Sequence, residues 1–520
     1  MEQQVLAVRG VGGYRQYRIP AMAVTPSGRI ITIYDGRFDF DDLPGPVDLV
    51  IRTSDDNGTT WSDQAVFRKH DGVSGFGDAS IVIDPSYGDQ GRILVFYQHT
   101  HYAGFFESEP GTDLTNPNIA HVGISQSDDD GVTWHHRYIT DQIKSDETPG
   151  IFASSGMGGR IAFGQFENRL LQTFVLRTEK ELLSVIGFSD DHGLTWSLGA
   201  RIPEGNETAI TGLNDGSILI HSRGTPFRLS GRSYDGGVTL TELGPDKALP
   251  DPSDNGSLTT LSNGDLICSH NEDADLRMNT VVKKSNDGGR SWQQKLILEE
   301  GSSAYSTACQ LKDGSIAVLF ERNAYVELVF AKFQVNEFSE VENKTDSVPS
   351  KQEVKFTIVP RFIVPARRKI ESVEQEKFPI VPVVDMGTWR KSERKEIAAG
   401  SGSASGDRLL TKEELDLVLG EISPGLHVGD EIRVSGLLEN LTNTPLESIS
   451  ITEPSGIKVA ISEIINPGEK LCFLDYRQVV SKSDIERGYV SLMLQWSSKG
   501  VICARKRIDI STTDGIPKTA

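Results

Sequence analysis

Cysteine is scarce in this chain. The four cysteines lack the spacing of metal ligands and the density of a disulfide-stabilised scaffold, and they lie at Cys268, Cys309, Cys472 and Cys503. We therefore expect buried thiols. Cys472 and Cys503 share the C-terminal region and are the two that would pair if that region met an oxidising compartment.

Long apolar runs are also missing. No stretch approaches the about 20 apolar residues that a membrane-spanning helix needs, so the sequence predicts no membrane span. Residues 1–20 lack a basic start followed by an apolar core, which predicts that no signal peptide is present. The sequence leaves the compartment and the oligomeric state open.

Positive charge is in deficit. The chain has 53 Lys and Arg residues against 73 Asp and Glu residues, which gives a formal net charge of −20. This charge repels the phosphates of nucleic acid, so we expect no nucleic-acid partner. It also repels any other anion at long range. Recognition of an acidic ligand therefore requires a local arginine cluster that acts within about 8 Å at physiological salt.

One eight-residue pattern, Ser-x-Asp-x-Gly-x-Thr-Trp, occurs five times, and we call it the Asp box. The copies start at Ser54, Ser127, Ser189, Ser233 and Ser285; the fourth has Leu240 for tryptophan and the fifth has Ser291 for threonine. Asp and Ser side chains bond turn amides, glycine adopts a backbone angle that other residues avoid, and the aromatic ring packs under the hairpin. The Asp box thus indicates a recurring structural turn.

Short apolar stretches of strand type flank the boxes, such as residues 49–52 and 183–188, and second tight turns separate further strands. Repetition of strand, turn, strand and box predicts an all-β fold, a six-bladed β-propeller over residues 1–335. The insertions at 98–118 and 143–159 are long loops of the kind that carry binding residues on a rigid scaffold.

The character of the sequence changes after residue 335. Scattered prolines and mixed charge, followed by a Gly- and Ser-rich stretch, predict an extended connector over residues 336–405. Alternating apolar residues return in 431–438 and 489–496, which predicts a small immunoglobulin-like β-sandwich over residues 406–520. This region has no cluster of catalytic type, and spacing, partner contact and glycan binding all remain open as its role.

The motif Tyr17-Arg-Ile-Pro20, followed by the five Asp boxes, resembles the bacterial sialidase (neuraminidase) family. Asp boxes also occur in propellers that do not cleave sialic acid, so the resemblance in activity rests on polar residues spread over positions 18–321. It implies an exo-α-sialidase, a retaining glycosidase that removes terminal sialic acid from glycans, glycoproteins or glycolipids. It also implies that no cofactor or catalytic metal is needed. Members of the family are often secreted or displayed on the cell surface.

The family holds the carboxylate of the sugar with three arginines, and the matching positions are Arg18, Arg223 and Arg277. A guanidinium group suits this task because its planar fork donates two parallel hydrogen bonds to a carboxylate and keeps its charge. The alternative for each is an ordinary surface arginine that is paired with an acid.

The resemblance also supplies a nucleophile and its base. The segment 303–307 resembles the strand that carries the tyrosine nucleophile of the family, at Tyr305, and Glu207 matches the glutamate that bonds it. A phenol is mostly neutral at pH 7, so attack requires a carboxylate that accepts its proton. A neutral nucleophile avoids repulsion by the carboxylate of the substrate. The alternative for Tyr305 is a core aromatic residue.

The segment 34–46 is expected to supply the acid/base catalyst. Asp42 matches the aspartate of the family best and would protonate the departing oxygen, then deprotonate water. Asp39 and Asp41 are near enough in sequence to exchange roles with it. Each of the three is otherwise a solvated acid.

Three positions have supporting roles in the family. Arg37 resembles an extra arginine near the acid loop, Glu321 resembles the acid that orients the first arginine, and Asp78 lies where a polar residue faces a hydroxyl or N-acyl group of the sugar. Surface ion pairs are the alternative for Arg37 and Glu321. The histidines at 99, 101, 135 and 136 fit surface or loop positions better than a metal site.

Two other functional readings stay open. A trans-sialidase or an intramolecular trans-sialidase would use the same residues. A non-catalytic propeller that binds sialoglycans would need the arginines, but it would not need the nucleophile and its base.

Overall fold

The computed structural model describes residues 1–145, 148–341, 354–364, 366, 411–420 and 422–518. Strands dominate these ranges and helices are few and short, so the predicted all-β class is confirmed. Within the same ranges, no helix has the length and apolar character required to cross a bilayer.

Six sheets follow one another along residues 1–341. The first contains β2 (Gln16–Val24), β3 (Ile30–Arg37), β4 (Val47–Ser54) and β5 (Ala65–Arg68). The second contains β6 (Gly75–Asp84), β7 (Arg92–Thr100), β8 (His121–Ser127), β9 (His135–Tyr138) and a short added strand, β11 (Gly156–Met157). After helix α1 (Thr140–Ile143), the third contains β10 (Gly150–Ala153), β12 (Gly159–Arg160), β13 (Leu170–Arg177), β14 (Leu182–Ser189) and β15 (Ser197–Pro203).

The remaining three sheets bring the ends of this region together. The fourth contains β16 (Thr208–Gly212), β17 (Ile218–Ser222), β18 (Phe227–Ser233) and β19 (Thr241–Pro250). The fifth contains β20 (Ser257–Thr260), β21 (Leu266–Asn271), β22 (Thr280–Ser285), β23 (Gln294–Ile297) and β27 (Ser339–Glu340). The sixth contains β24 (Ser303–Gln310), β25 (Ile316–Arg322) and β26 (Glu327–Phe333), and β1 (Glu2–Val8) pairs with β26 as its outer strand.

The innermost strands of successive sheets touch one another in cyclic order. Strand β2 contacts β6, the third sheet bridges β6 to β16, and the series continues through β20 and β24 back to β2. The short segment around β11 lies among these strands and contacts β2, β6, β16 and β24. The first and last sheets are therefore neighbours, and residues far apart in sequence meet where the inner strands converge.

The Asp boxes form the turns between the third and fourth strands of the first five sheets. In the first box, Ser54 Oγ donates to Asp56 (2.8 Å) and accepts the Gly58 N–H (2.9 Å). Thr60 donates its N–H (2.8 Å) and its hydroxyl (2.6 Å) to Asp56. The fourth box has no tryptophan but makes the same bonds around Asp235. The aspartate therefore sets the turn.

Each box glycine also lies against the preceding sheet. Gly193 has a φ of +81°, and a Cβ atom at this position would overlap Leu94 of β7. In the cyclic order of the sheets, the sixth sheet precedes the first, and the other four box glycines also face a side chain of the sheet before their own. In box order, these side chains are Phe330, Ile31, Ile186 and Leu219. The boxes therefore join the sheets to one another as well as turning the chain.

We predict that Gly193→Ala destabilises the protein substantially. The positive φ costs about 1–2 kcal/mol for a residue with a Cβ atom, and the overlap with Leu94 adds about 1–3 kcal/mol. Gly88→Ala is the matched control because Gly88 also has a positive φ (+60°) but has no atom within 4 Å of the added Cβ. The free energy of unfolding from urea titrations measures both. Equal losses in the two variants would contradict the packing role of the box.

The C-terminal region contains two further sheets. The first consists of β28 (Val354–Val364), β29 (Glu431–Asn440) and β32 (Lys470–Val479). The second consists of β30 (Leu446–Thr452), β31 (Lys458–Ile465), β33 (Tyr489–Ser498), β34 (Val501–Ser511) and β35 (Pro517–Lys518). Helices α2 (Lys412–Leu419) and α3 (Lys482–Arg487) accompany them. Both sheets contribute to one apolar core that includes Ile432, Val434, Ile451 and Leu492.

The predicted connector requires a correction. Strand β28 lies inside residues 336–405 and pairs with β29 along its whole length, so the C-terminal sheet begins within that segment. Prolines favoured the connector interpretation, but Pro360 lies where the register of the pair shifts, a position that tolerates a missing N–H. Most of the other residues of the predicted connector lie outside the described residues, and the domain boundaries remain a prediction.

All four cysteines lie in the described ranges. Cys268 and Cys309 are buried as expected, whereas Cys472 is half-buried and Cys503 is exposed. The expectation of a buried thiol is therefore wrong for Cys503, which lies on the exposed strand β34.

Candidate active site

Three arginines from different sheets surround one tyrosine ring. Arg18 lies on β2, Arg223 directly follows β17, and Arg277 lies in the loop between β21 and β22. Their Cζ atoms lie 5.4, 5.9 and 5.4 Å from the centre of the Tyr305 ring. The arginines expected from the resemblance thus lie within one cluster, although they are as far as 259 positions apart in the sequence.

Glu321 fixes Arg18 relative to Tyr305. Its Oε1 accepts the Arg18 Nε–H (2.7 Å) and the Ile19 N–H (2.8 Å), and its Oε2 accepts the Tyr305 N–H (3.2 Å). Glu321 has no exposed surface. One buried carboxylate therefore couples the first arginine to the strand that carries the tyrosine.

Arg277 is held by residues that the sequence analysis missed. Its Nη1 donates to the Tyr325 hydroxyl (3.0 Å), its Nη2 donates to the Ser253 carbonyl (3.2 Å), and its Nε lies 3.5 Å from Asp254 Oδ1. The Tyr325 ring also lies 3.9 Å from Arg18 Cζ. Nothing in the local sequence marks Tyr325 or Asp254, since no motif precedes them and only the fold places them beside arginines.

Tyr305 and Glu207 form a hydrogen-bonded pair beneath the arginines. The Tyr305 hydroxyl donates to Glu207 Oε2, and Arg223 Nη1 donates to both of these oxygens. Burial raises the pKa of Tyr305 well above 10, and the charge of Glu207 raises it further, against the opposing effect of Arg223. The resting phenol therefore keeps its proton and holds it on the carboxylate that could accept it.

Ser155 and Asn255 hold the other oxygen of Glu207. Ser155 Oγ donates to Oε1 at 2.8 Å, and Asn255 Nδ2 reaches both Ser155 Oγ (2.8 Å) and Oε1 (3.4 Å). Both side chains are buried. Ser155 lies in the insertion 143–159, which the sequence analysis singled out as a loop that carries binding residues, so its region was predicted although the residue was not.

Arg37 bonds two aspartates of the segment 34–46, which we call the acid segment. It donates to Asp35 Oδ2 through Nη2 (2.7 Å) and Nε (3.1 Å), and to Asp42 Oδ1 through Nη2 (3.0 Å). Asp35 is fully buried, and burial raises its pKa to about 6 although Arg37 opposes the shift. Asp42 has a side chain that is 39% exposed and therefore accessible to a ligand. Of the alternatives, Asp39 accepts the N–H of Phe40 (2.7 Å).

The loop that carries Asp42 is packed against small residues. Gly75 and Gly77 lie against Leu43, and Gly104 lies against Pro44, with too little room for a side chain. Gly104 belongs to the other long insertion, at 98–118. Both insertions therefore border the candidate site.

Asp78 lies between the segment 34–46 and the pair of Tyr305 and Glu207. Burial raises its pKa well above the usual value, and the nearby charges of Asp42, Asp35 and Glu207 raise it further. Its N–H donates to Asp35 Oδ1 (3.2 Å). The raised pKa values of Asp78 and Asp35 favour the protonated form of these two carboxyl groups.

Irregular pairing aims three of these side chains. The register shifts just after Arg18 in β2, around Asp78 in β6 and around Tyr305 in β24. A β-bulge reorients a side chain relative to the strand that carries it. Pro20 accounts for the first shift, because proline has no N–H to donate to the ladder. The sequence gives no comparable signal at Asp78 and Tyr305.

The histidines considered as metal ligands have structural partners. His99 stacks on Phe76 with ring centres 4.3 Å apart and bonds the Tyr138 hydroxyl at 2.6 Å, and burial lowers its pKa to about 3. In the part of the chain that the structure describes, no three His, Cys, Asp or Glu side chains are grouped so as to hold a metal ion.

A family model described as a BNR repeat-like domain matches residues 45–318. The chain belongs to the BNR repeat-like domain family. This BNR-repeat chain is 34% identical over 339 residues to a sialidase of Micromonospora viridifaciens, covering 61% of this chain and 52% of the relative. It is 28% identical over 333 residues to a sialidase of Bacteroides fragilis, covering 59% and 60%. The chain thus spans about half to three fifths of these relatives.

Solved structures share the fold of the BNR-repeat region. A Hadza microbial sialidase has a TM-score of 0.57 at 24% identity, covering 63% of this chain and 67% of that one. The intramolecular trans-sialidase of Ruminococcus gnavus has a TM-score of 0.56 at 17% identity, covering 64% and 97%. These likenesses establish a common fold.

We predict that Asp254 makes the folded protein less stable as the pH rises. Burial raises its pKa to about 7, against the opposing effect of Arg277, so the folded state keeps a proton between about pH 4 and 7 that the unfolded state loses. Stability then falls by roughly 1.4 kcal/mol per pH unit in this window for one such group. Asp254→Asn removes this proton, so the variant should lose about 2 kcal/mol less than wild type between about pH 5 and pH 7.

Urea unfolding at the two pH values measures this difference. Asp89→Asn is the control, since Asp89 is an exposed aspartate on the surface. A wild-type pH dependence that Asp254→Asn leaves unchanged would show that Asp254 does not hold the proton.

Proposed function

We propose that this protein is an exo-α-sialidase that hydrolyses terminal sialic acid from glycoconjugates with retention of configuration through a tyrosyl-sialosyl intermediate. The observation that carries the proposal is the convergence of Arg18, Arg223 and Arg277 on Tyr305, whose hydroxyl donates to Glu207. A chain with a net charge of −20 attracts an anionic sugar only where cations are concentrated in this way.

The first task of the site is to bind the sugar carboxylate. Planar guanidinium groups donate paired hydrogen bonds to carboxylates and retain their charge at any pH that the protein tolerates. Held by their own acids, the three arginines need little rearrangement as the ring flattens toward an oxocarbenium-like transition state. This preorganised field stabilises the transition state electrostatically.

In the second task, Tyr305 replaces the aglycone at the anomeric carbon, and Asp42 assists its departure. The phenol oxygen attacks that carbon while its proton passes to Glu207, along the hydrogen bond already present in the resting site. Asp42 gives its proton to the departing oxygen, and the bond to the aglycone breaks. The products of this step are the free aglycone and a sialosyl group that is joined through its anomeric carbon to the phenol oxygen of Tyr305 by a glycosidic bond.

Water completes the reaction. Asp42, now a carboxylate, accepts a proton from water as the water oxygen attacks the anomeric carbon. The bond to Tyr305 breaks, and the phenol oxygen recovers its proton from Glu207. Two displacements at the same carbon retain the configuration.

The fold proposal accompanies the function. We assign the six sheets of residues 1–341 to a six-bladed β-propeller because their inner strands touch in cyclic order and β1 completes the last sheet. We assign the two packed C-terminal sheets to an immunoglobulin-like sandwich. The substrates in this proposal are sialylated glycans, glycoproteins or glycolipids.

An intramolecular trans-sialidase is the second candidate. One relative, 25% identical over 226 residues, is named anhydrosialidase. An intramolecular trans-sialidase reaction in this chain would use the same site residues as hydrolysis. The two activities differ in whether water or a hydroxyl of the bound sugar attacks the intermediate. A non-catalytic binder is less well supported because binding alone would not require the buried pair of Tyr305 and Glu207.

We predict that Asp42→Ala slows hydrolysis of sialyllactose much more than hydrolysis of an aryl sialoside. A general acid contributes about 10²–10⁴-fold when the leaving group is an alcohol, whereas a phenolate leaves with little assistance. Tyr305→Phe should lower kcat with both substrates because the phenol oxygen is lost. Release of sialic acid, measured over mildly acidic to neutral pH, gives both rates.

Three outcomes would change the assignment. No release by wild type with either substrate would leave the binding function as the better proposal. An anhydro sugar as the product, identified by NMR, would establish the intramolecular reaction instead. Full activity of Tyr305→Phe would remove the tyrosine from the mechanism.

We also predict that Ser155→Ala lowers kcat/KM about ten- to a hundredfold. It removes the 2.8 Å hydrogen bond to Glu207, and bonds to charged groups contribute about 1.5–3 kcal/mol. Ser184→Ala is the matched control, since Ser184 is a buried serine whose hydroxyl bonds the Phe174 carbonyl at 3.1 Å rather than Glu207. Equal effects of the two variants would contradict a specific role for Ser155.

A further inference from the structure

The C-terminal sheet formed by β28, β29 and β32 packs against the two residues that precede Arg277. Leu276, which is 2% exposed, lies in one apolar cluster with Val359 of β28 and Leu437 of β29. Lys470 of β32 donates to Asp275 Oδ2 at 2.7 Å. The two residues that precede Arg277 in its loop are therefore held by three strands of the C-terminal region.

The same sheet also contacts Tyr325, which supports Arg18 and Arg277. Val364, at the end of β28, packs against Ala304 and Tyr325. Ala304 directly precedes Tyr305, and the Tyr325 ring contacts Arg18 while its hydroxyl accepts a bond from Arg277. Strand β28 therefore packs against the tyrosine that contacts two of the three arginines.

Helix α2 packs beneath the start of the acid segment. Leu415 joins the apolar cluster that contains Phe38, and Lys412 Nζ lies 5.3 Å from the centre of the Phe38 ring. Arg15 donates to Asp416 (3.1 Å) and to the Phe38 carbonyl (3.3 Å). Phe38 directly follows Arg37, so this contact lies one residue from the arginine that bonds Asp42.

We propose that the C-terminal region is a structural part of the active site, and that Leu437, Lys470 and Val359 are positioning residues that hold Arg277 for the substrate carboxylate. This inference rests on the proposed function. It adds a role to those that the sequence left open, since contacts at two walls of the site are not required of a spacer or of a separate glycan-binding module.

The physical reason is mutual repulsion among the guanidinium groups. The charge of Arg277 opposes the protonated form of Arg18, and it does the same to Arg223. Arg277 belongs to a loop, whereas Arg18 is fixed on a strand. A loop that carries one of several like charges moves away from the others unless packing holds it, and β28, β29 and β32 supply that packing.

The test compares Leu437→Ala and Lys470→Ala with Lys482→Ala in the full chain. Lys482 is an exposed lysine paired with Glu486 on α3, and it serves as the matched control for Lys470. We expect KM for an aryl sialoside to rise about tenfold in Leu437→Ala and less in Lys470→Ala, while kcat changes about twofold or less, because a displacement of ~1 Å in a binding group can cost up to about a hundredfold. Leu437→Met should restore KM.

Hydrogen–deuterium exchange tests the same contact without turnover. Leu437→Ala should speed amide exchange in residues 273–278 and 323–326, whereas Lys482→Ala should leave it unchanged. Unchanged exchange and unchanged KM in Leu437→Ala would overturn the inference. If wild type released no sialic acid, the proposed function would fail, and the exchange data would still decide whether the C-terminal sheet holds the loop.

Discussion

Like charges held close together are the constraint on which this structure depends. Three guanidinium groups surround the Tyr305 ring, and each has its own buried acid: Glu321 for Arg18, Glu207 for Arg223 and Asp254 for Arg277. Without these acids the cluster would repel itself. Glu321 and Glu207 reduce the net charge of the buried cluster, which still presents donors to an incoming anion.

The acids themselves are of two kinds. Glu207 and Glu321 each bond an arginine at short range and also contact Tyr305, so they couple the arginine cluster to this tyrosine. Asp254, Asp35 and the half-buried Asp78 lie among other carboxyl groups, and desolvation raises the pKa of each. The site therefore combines ion-paired carboxylates with carboxyl groups whose raised pKa values favour the protonated form as the solution becomes more acidic.

The fold was more accessible from the sequence than the supports of the site. The Asp boxes carry their turn chemistry in eight consecutive residues, so the repeat and the all-β class were predictable from local pattern. Arg18, Arg223, Arg277, Tyr305 and Glu207 were found through the resemblance, and the structure brings them together, while their roles remain proposed. Ser155, Asn255, Asp254 and Tyr325 were missed because a positioning side chain has no motif of its own. Strand β28 was missed because Pro360 resembles a connector residue until its bulge is seen.

The pairing of β1 with β26 has a consequence for biosynthesis. Residues 2–8 leave the ribosome well before their partner strand, which spans residues 327–333, so β1 stays unpaired while more than 300 further residues are made. At about 5–20 residues per second, this wait lasts tens of seconds. During that time an unpaired strand edge is exposed, which is a hazard for association with other nascent chains. Arg18 and Tyr305 lie on either side of the same late-forming junction, so the pocket is assembled only when the two ends of this region meet.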